Sequence, residues 1–249
     1  VEGRAVLVTG AAWLPAHVSA VTTLTSHSRA IVLTVPGWGG NLPGQHLDIR
    51  LTADDGYQAE RSYSIASFGP GDRVELAVDE VPDGEVSPYL VEEVREGDFL
   101  EVKGPLGQYF VWRETDPGPV QLIAGGSGIV PLLAIARARR ASGTAQPFRL
   151  LYSVRSEDDA MYAAEIDALD AEGISVDWVY TRRAPARATR GAGRITPEEI
   201  AGLIWPVDAA PTVFVCGPTA FVEAVADALV EAGHPPNRIR TERFGGAGS

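Results

Sequence analysis

The pattern of the sequence changes once along the chain, and this change constrains the fold more than any other feature. Residues 17–112 contain short runs rich in β-branched and aliphatic residues, separated by turn signals such as GWGGNLPG and GPGD. After residue 119, strand-like runs alternate with amphipathic helical runs. Short strands at regular spacing predict a small antiparallel barrel. Strands that alternate with helices predict a parallel sheet covered on both faces.

The sequence therefore predicts two domains of different class. We expect a six-stranded antiparallel β-barrel in residues 1–116 and a five-stranded parallel α/β domain in residues 117–249, joined at the linker sequence ETDPGP. A chain of 249 residues has room for two domains of ordinary size. Ligands of open parallel sheets bind beyond the carboxyl ends of the strands, so the second domain is predicted to bind a nucleotide.

Composition excludes several functional classes. The single cysteine, Cys216, cannot form an internal disulfide or supply the ligands of an iron–sulfur cluster, and the four histidines show no HxxH or HExxH spacing, so we predict no metal site. A net charge of −12 argues against nucleic-acid binding. We also expect no membrane insertion and a cytoplasmic location, because no apolar run approaches ~20 residues and VEGRAVLVTG does not resemble a secretory signal.

A glycine cluster lies where the first predicted strand of the α/β domain meets its helix. In LIAGGSGIVP, Gly125, Gly126 and Gly128 surround Ser127. Glycines at this position let backbone amides approach a pyrophosphate, whose charge the helix N-terminus favours. A plain tight turn is the alternative, because the cluster is not a GxGxxG motif.

A second strand-to-helix junction, VFVCGP, places Cys216 at the end of a buried run and Gly217 and Pro218 at the start of a helix. The thiol is expected at the carboxyl edge of the sheet. A small core cysteine is the alternative, and no neighbouring base marks it as a nucleophile.

The stretch ERSYSIAS, residues 60–67, departs from the usual alternation of apolar and polar residues in a half-buried strand. Arg61 and Tyr63 share one face of this strand, and Ser62 and Ser64 share the other. Such a strand is either an exposed edge or one whose partner is a polar ligand.

Taken in order and spacing, RSYS, GGSGIVP, CGP and the closing TERF resemble the ferredoxin–NADP reductase superfamily over about residues 11–246. The resemblance implies a flavin-binding barrel followed by a dinucleotide domain. It assigns Arg61 to the flavin pyrophosphate, which an arginine fork meets bidentately, and Tyr63 to the face of the isoalloxazine ring. It places Ser64 near flavin N5 and Ser62 on the same cofactor strand.

The segment GEVSPYL resembles the second flavin motif of the same superfamily. The resemblance implies that Gly84, Val86 and Ser87 contribute to a phosphate site at a helix N-terminus, while Ser87 alone also suits a simple N-cap with Pro88 in the first turn. A second phosphate site favours FAD over FMN. His46, in GQHLDIR, either faces the flavin region or is a satisfied barrel histidine.

The implied reaction is hydride transfer from nicotinamide C4 to flavin N5, followed by release of single electrons. By resemblance, Cys216 borders the nicotinamide, Phe244 covers the flavin face, and Glu242 makes polar contacts nearby. For the last two, the alternative is an edge strand with an exposed Glu and a core Phe. The sequence GGAGS follows Phe244, which departs from an aromatic chain end, and Val1 leaves the natural start open.

Arginines at the predicted carboxyl edge bear on the choice between NADPH and NADH. Arg155 follows one strand, and Arg182 and Arg183 follow the next. We expect them to receive the extra phosphate of NADPH, with a solvated basic loop as the alternative. Tyr162 either stacks on adenine or packs in its helix.

Three functions are compatible with these patterns. The first is an NAD(P)H-dependent flavoprotein reductase that delivers electrons to a separate ferredoxin, haem protein or metalloenzyme. The second is a flavin reductase or diaphorase acting on small acceptors, and the third is a non-catalytic flavin-binding module. The sequence favours catalysis, because a module needs only one cofactor site. Arg137, Arg139 and Arg140 form either a docking face for an acidic ferredoxin or a solvated helix face.

Overall fold

The computed structural model describes residues 12–244, so Val1 and the GGAGS segment lie outside the described residues. The first half forms the predicted six-stranded antiparallel sheet, in the order β4-β3-β6-β1-β2-β5. Its strands are β1 (Leu14–Thr25), β2 (Ser28–Thr34), β3 (His46–Thr52), β4 (Gln58–Ser64), β5 (Arg73–Asp79) and β6 (Phe99–Leu106).

The inward faces of these strands form the barrel core. Apolar residues alternate along β1 and β2, so that Val18, Ile31 and Leu33 are fully buried while their neighbours are not. The edge strands β4 and β5 approach each other at an isolated bridge between Ile65 and Leu76. This approach curls the sheet around the apolar residues.

The second half forms a parallel five-stranded sheet in the order β11-β10-β7-β8-β9. Its strands are β7 (Val120–Gly125), β8 (Phe148–Val154), β9 (Ile174–Tyr180), β10 (Thr212–Pro218) and β11 (Ile239–Phe244). The helices are α1 (Ile129–Ser142), α2 (Ala163–Ala168), α3 (Pro197–Leu203) and α4 (Thr219–Glu231). The predicted fold class is confirmed in both halves. The predicted domain boundary after residue 116 falls between β6 and β7.

The order of the parallel strands reverses at β7. Strands β8 and β9 extend to one side of β7, and β10 and β11 extend to the other. In open α/β sheets, ligands bind at this kind of reversal, beyond the carboxyl ends of the two central strands. The glycine cluster of 125–128 follows β7, and the CGP motif of 216–218 ends β10. The fold therefore places both motifs at the point that favours ligand binding.

Two helical predictions differ from the structure. The segment after Ser87 forms one turn of π-helix, Tyr89–Glu93, and the Ser87 hydroxyl accepts a hydrogen bond from the Val81 amide at 3.0 Å. The N-cap role predicted for Ser87 is therefore wrong, because the preceding loop folds back and uses this hydroxyl. The run AMYAAEIDALDAE, residues 160–172, predicts a longer helix than α2, which begins only at Ala163 because Tyr162 adopts a left-handed conformation with φ of 55°.

An ion cluster joins the two domains. Arg137 on α1 contacts Glu165 on α2 at 2.7 Å and Glu75 on β5 at 3.1 Å, and donates to the Ala66 carbonyl at 3.0 Å. The Tyr162 phenol donates to Glu75 at 2.8 Å. Arg137 is thus neither solvated nor available for docking, and Tyr162 packs at the domain interface.

The other two arginines of α1 also bind within the chain. Arg139 donates to the Glu172 carbonyl at 2.6 Å, and Arg140 pairs with the Glu172 carboxylate at 3.3 Å.

Within residues 12–244, no helix is long and apolar enough to cross a membrane.

Candidate active site

A cavity of about 550 Å³ lies against β4 and reaches the α/β domain. The RSYS strand, the segment 81–87, the start of α1 and the end of β11 all contribute to its lining. The predicted residues that line it are Arg61, Ser62, Tyr63, Ser64, Gly84, Val86, Ser87, Ser127 and Phe244. The structure thus brings together residues from four separate motifs. We refer to this space as the barrel cavity.

Arg61 lines the barrel cavity, is about half exposed, and pairs with Glu85 at 2.5 Å. Glu85 also accepts a hydrogen bond from the Tyr57 phenol at 2.7 Å. The Tyr57 hydroxyl, and then the Arg61 charge, lower the pKa of Glu85. One terminal nitrogen of the guanidinium therefore binds the Glu85 carboxylate and the other donates to the Glu60 carbonyl, and an anionic ligand would compete with Glu85.

The other three residues of RSYS differ in their partners. The Ser62 hydroxyl donates to Asp48 at 2.6 Å, on the face away from Arg61. Tyr63 is largely buried, and burial raises the pKa of its phenol. Ser64 is buried, and its hydroxyl has no hydrogen-bond partner among residues 12–244. A buried hydroxyl without a partner is costly unless a ligand atom satisfies it. This observation fits a polar cofactor in the barrel cavity.

A second cavity of about 220 Å³ lies at the carboxyl ends of the parallel strands, and we call it the sheet-edge cavity. Predicted residues that line it are Gly125, Gly126, Ser127, Arg155 and Pro218. Ser127 and Asp79 line both cavities. The two spaces therefore share a wall at the boundary between the domains.

The glycines at this boundary allow a close backbone approach. A Cβ at Gly128 would stand 2.0 Å from the Cys216 carbonyl oxygen, and one at Gly125 would stand 2.6 Å from the Phe221 ring. Gly126 and Gly217 have positive φ angles of 54° and 158°. Gly125, Gly128 and Gly217 are thus required by packing within the protein, whereas Gly126 has open space beside it and lines the sheet-edge cavity, which fits a dinucleotide phosphate near the start of α1.

Cys216 and Glu242 are neighbours in register on β10 and β11. The Cys216 thiol is completely buried, and burial followed by the Glu242 charge raises its pKa well above the ordinary value. Glu242 is also largely buried, and burial raises its pKa to about 7. One Glu242 carboxylate oxygen lies 3.7 Å from His46 Nδ1, and the other has no partner among the described residues. The alternative of an exposed Glu242 is wrong.

His46, the first residue of β3, lines neither cavity, and its side chain lies beside Glu242 of β11. Burial lowers the pKa of this imidazole, although Asp48 acts in the opposite sense. Phe244 lines the barrel cavity and packs against the core of the α/β domain. His46 and Phe244 therefore both lie where the barrel meets the α/β domain.

The three predicted arginines of the sheet edge come close through their backbones. The amides of Arg182 and Arg183 both donate to the Arg155 carbonyl, at 2.9 and 3.1 Å. Arg183 forms an ion pair with Asp158. Neither Arg155 nor Arg182 has an ion-pair partner among residues 12–244, and both are exposed.

Sequence reasoning missed several residues that line the cavities: His27, Asp79, Glu85 and Asp159. Glu85 lies inside the GEVSPYL motif, which was the available signal. No motif marked the others, because they meet only through tertiary pairing.

Within residues 12–244, no three His, Cys, Asp or Glu side chains are grouped to hold a metal ion.

Comparison with known proteins agrees with this geometry. Residues 15–111 match the model for the oxidoreductase FAD-binding domain, and residues 122–227 match the model for the oxidoreductase NAD-binding domain. The chain is 31% identical over 204 residues to a Ralstonia ferredoxin–NAD(P)(+) reductase component of naphthalene 1,2-dioxygenase/salicylate 5-hydroxylase systems, covering 81% of this chain and 60% of that protein.

Two further similarities cover more of the chain. It is 32% identical to the ferredoxin reductase component of 3-ketosteroid-9-alpha-monooxygenase from Mycolicibacterium smegmatis, over 93% of this chain and 65% of that protein. The flavohem-like FAD/NAD-binding domain of nitric oxide dioxygenase from Vibrio cholerae superimposes with a TM-score of 0.81 at 26% identity, over 94% of this chain and 99% of that one.

The chain spans between 60% and 65% of the length of the two reductase components described above. The two matched models cover both halves of the chain, and the residues of both cavities fall within or beside them. The chain belongs to the FAD- and NAD-binding oxidoreductases of the ferredoxin–NADP reductase superfamily.

Proposed function

We propose that this chain is an NAD(P)H-dependent flavoprotein reductase that passes electrons from FAD to a separate one-electron acceptor. The observation that carries the proposal is the wall that the two cavities share at Ser127 and Asp79. A ligand in each cavity would meet the other at that wall. A non-catalytic module has no need of such an arrangement.

The residues of the barrel cavity suit FAD. Arg61 would exchange its Glu85 partner for the flavin pyrophosphate, Tyr63 would contact the ring, and Ser64 would donate its unpartnered hydroxyl. Gly84, Val86 and Ser87 line the same cavity, and the phosphates of a dinucleotide flavin would lie against them. The chemistry that bound FAD supplies is acceptance of two electrons from reduced nicotinamide and their release one at a time.

The residues near the shared wall would orient the nicotinamide and exclude water. Cys216 is too buried and its pKa too high for a thiolate role, so we assign it the packing of this wall. Glu242, whose pKa is about 7, can hold or release a proton near neutral pH. Phe244 would cover the barrel cavity until the nicotinamide enters.

NADPH is the favoured electron donor in this proposal. Arg155 lines the sheet-edge cavity, and Arg182 is tied to it through the backbone, so two guanidinium groups are available to a ribose phosphate. Arg183 and Arg187 are paired with Asp158 and Glu157. These pairs would have to break before either of them could contribute.

The acceptor is proposed from the relatives. Two of them are described as ferredoxin reductase components of oxygenase systems, and the Vibrio cholerae domain belongs to a nitric oxide dioxygenase. A ferredoxin or an oxygenase metalloprotein component is therefore the expected partner, with a flavin reductase acting on small acceptors as the alternative.

Stopped-flow spectroscopy tests the donor and the acceptor separately. The FAD-loaded chain is mixed with NADPH or NADH, and loss of flavin absorbance is followed without oxygen. We expect faster reduction by NADPH, and an Arg155→Ala and Arg182→Ala double variant that loses this advantage. The reduced protein is then mixed with ferredoxin, cytochrome c or free FMN. Equal rates for all three acceptors would favour the small-acceptor reductase.

A further inference from the structure

The turn between β1 and β2 carries a histidine with a fixed position. His27 is the second residue of this turn, and its amide donates to Thr25 Oγ1 at 3.3 Å. The hydroxyls of Thr25 and Ser28 are 2.6 Å apart, and the Glu80 amide donates to the His27 carbonyl at 2.9 Å. The backbone is held from both sides, so the direction of the imidazole is determined by the fold.

The imidazole of His27 lies between two carboxylates from different domains. Its Nδ1 is 2.7 Å from Asp79 on β5, because Ser28 pairs directly with Asp79 in the sheet. Its Nε2 is 3.3 Å from Asp159, in the short turn after β8. The second oxygen of Asp159 accepts a hydrogen bond from Ser156 at 2.5 Å. We call these three side chains, His27, Asp79 and Asp159, the His27 bridge.

This geometry selects the protonated imidazole. A neutral imidazole has one N–H donor and one acceptor nitrogen, and the acceptor would face a carboxylate oxygen. The imidazolium donates to both carboxylates. Partial burial lowers the pKa of His27, but the hydrogen bonds and charges of Asp79 and Asp159 outweigh it and raise the pKa above 6.5. Burial raises the pKa of Asp159, and hydrogen bonds from Ser156 and His27 reverse this.

Other charged groups around the His27 bridge do not replace the imidazolium. From β8, the Tyr152 phenol is buried and accepts a hydrogen bond from the Met161 amide at 3.3 Å; burial, with smaller contributions from Asp79 and Asp159, raises its pKa. The Arg155 guanidinium acts on Asp159. The neighbouring acids of the Asp159 turn have partners of their own, Arg183 and Arg187. Loss of the His27 proton would therefore leave one of the two carboxylates facing an acceptor nitrogen and remove the positive charge between them.

The position of the His27 bridge connects it to ligand binding. His27, Asp79 and Asp159 all line the sheet-edge cavity, and Asp79 also lines the barrel cavity. We propose that His27 is a positioning residue, which as an imidazolium holds Asp79 of the barrel against Asp159 of the α/β domain and so sets the width of the dinucleotide cavity. The inference rests on the proposed function, because it assigns that cavity to NAD(P).

The pH dependence of the His27 bridge follows from its geometry. A histidine whose pKa is raised in the folded state stabilises the protein fully below its unfolded pKa, near 6.5. This stabilisation is lost as the pH rises through the pKa of His27 in the folded state, which is the higher of the two. Dinucleotide affinity should fall over the same range, because the cavity wall then loses its cross-domain contact.

Calorimetric titration of the FAD-loaded chain with NADP⁺, between about pH 6 and pH 9, tests this inference. From the strength of charge-assisted hydrogen bonds, we expect the Kd of the unaltered chain to rise about three- to tenfold across this range. His27→Asn should show the weaker Kd already at the low end of the range and little pH dependence. His17→Asn is the matched control, because His17 lines neither cavity and packs edge-on against Phe99. It should behave like the unaltered chain.

Hydrogen exchange without dinucleotide gives a second readout. His27→Asn should accelerate amide exchange in residues 156–161, where Asp159 loses its partner, and His17→Asn should not. If His27→Asn matches the unaltered chain in both Kd and exchange, the His27 bridge has no positioning role, and the proposed function still stands. If neither NADP⁺ nor NAD⁺, titrated in the same way, binds to any form of the chain, the proposed function fails and the cavity assignment fails with it.

Discussion

The Cα of Gly128 lies directly against the backbone of Cys216, so that a Cβ on Gly128 would stand 2.0 Å from the Cys216 carbonyl oxygen. Gly128 precedes α1, and Cys216 lies near the end of β10. The contact therefore fixes the two central motifs of the α/β domain against each other at the reversal of strand order. Residues next to this contact line the cavities: Ser127 lines both of them, and Pro218 lines the sheet-edge cavity.

Gly128→Ala should destabilise the protein because β10 or the start of α1 must move. We expect a loss of about 2–4 kcal/mol in the free energy of unfolding, as for overpacked core sites. Gly202→Ala is the matched control, since nothing lies within 4 Å of a Cβ there and the site is within α3. It should be neutral or slightly stabilising. Urea unfolding of both variants measures the difference, and equal stabilities would contradict the close contact.

Arg61→Lys should weaken FAD binding, because a lysine cannot meet a pyrophosphate with two parallel hydrogen bonds. We expect the Kd to rise about tenfold to a hundredfold. Glu85→Gln should lower the Kd about two- to fivefold, since Arg61 is then released from its carboxylate partner. Fluorescence titration with FAD gives both values. A tighter complex for Arg61→Lys would remove Arg61 from the flavin site.

Glu242→Gln should stabilise the flavin-free chain at high pH. Burial raises the pKa of Glu242 to about 7 from 4.5, so this carboxyl ionises at a lower pH in the unfolded chain than in the folded one. The buried Glu242 carboxyl therefore lowers the free energy of unfolding as the pH rises above 4.5, and this loss of stability is complete above about pH 7. We expect the variant to gain about 1–3 kcal/mol at high pH and nothing at low pH. Unfolding is compared with that of Glu223→Gln, an exposed site on α4. A gain that does not change with pH would be inconsistent with a buried carboxyl.

Arg137→Met should loosen the domain interface, because it leaves the Glu75 and Glu165 carboxylates without their shared partner. Arg137 is 16% exposed, and removing one member of such a cluster costs about 2–4 kcal/mol. Arg140→Met is the control, since Arg140 is 46% exposed and its pairs with Glu172 and, at 3.9 Å, with Glu165 are each worth less than about 1 kcal/mol. Thermal unfolding followed by calorimetry measures both variants. Similar losses would show that the cluster adds no more than a surface pair.

The sequence was sufficient to predict the fold because both of its patterns, short strands between turns and strands alternating with helices, are local along the chain. Runs such as RAIVLTVP and FRLLYSV carry β-branched and aliphatic residues between clear turns, and they form β2 and β8. The sequence was misleading where a distant partner decides the outcome. The Ser87 hydroxyl serves Val81 instead of a helix amide, and Arg137 binds Glu75, which lies 62 residues away in the chain.

The candidate site was predictable where a motif supplies several residues in a row. RSYS and GEVSPYL together account for most of the barrel-cavity wall. His27 and Asp79 were not predictable, since they meet through the pairing of β2 with β5, and Asp159 joins them from the other domain. A single histidine in a turn carries no signal until its neighbours in space are known.

The measurement that tests the central claim most directly is an anaerobic titration of the FAD-loaded chain with NADPH and NADH, followed by flavin absorbance. If the two cavities share a wall as described, one equivalent of a nucleotide should bleach the bound flavin, and Arg61→Ala should abolish bleaching by abolishing FAD binding. A chain that binds FAD but is bleached by neither nucleotide would contradict the account.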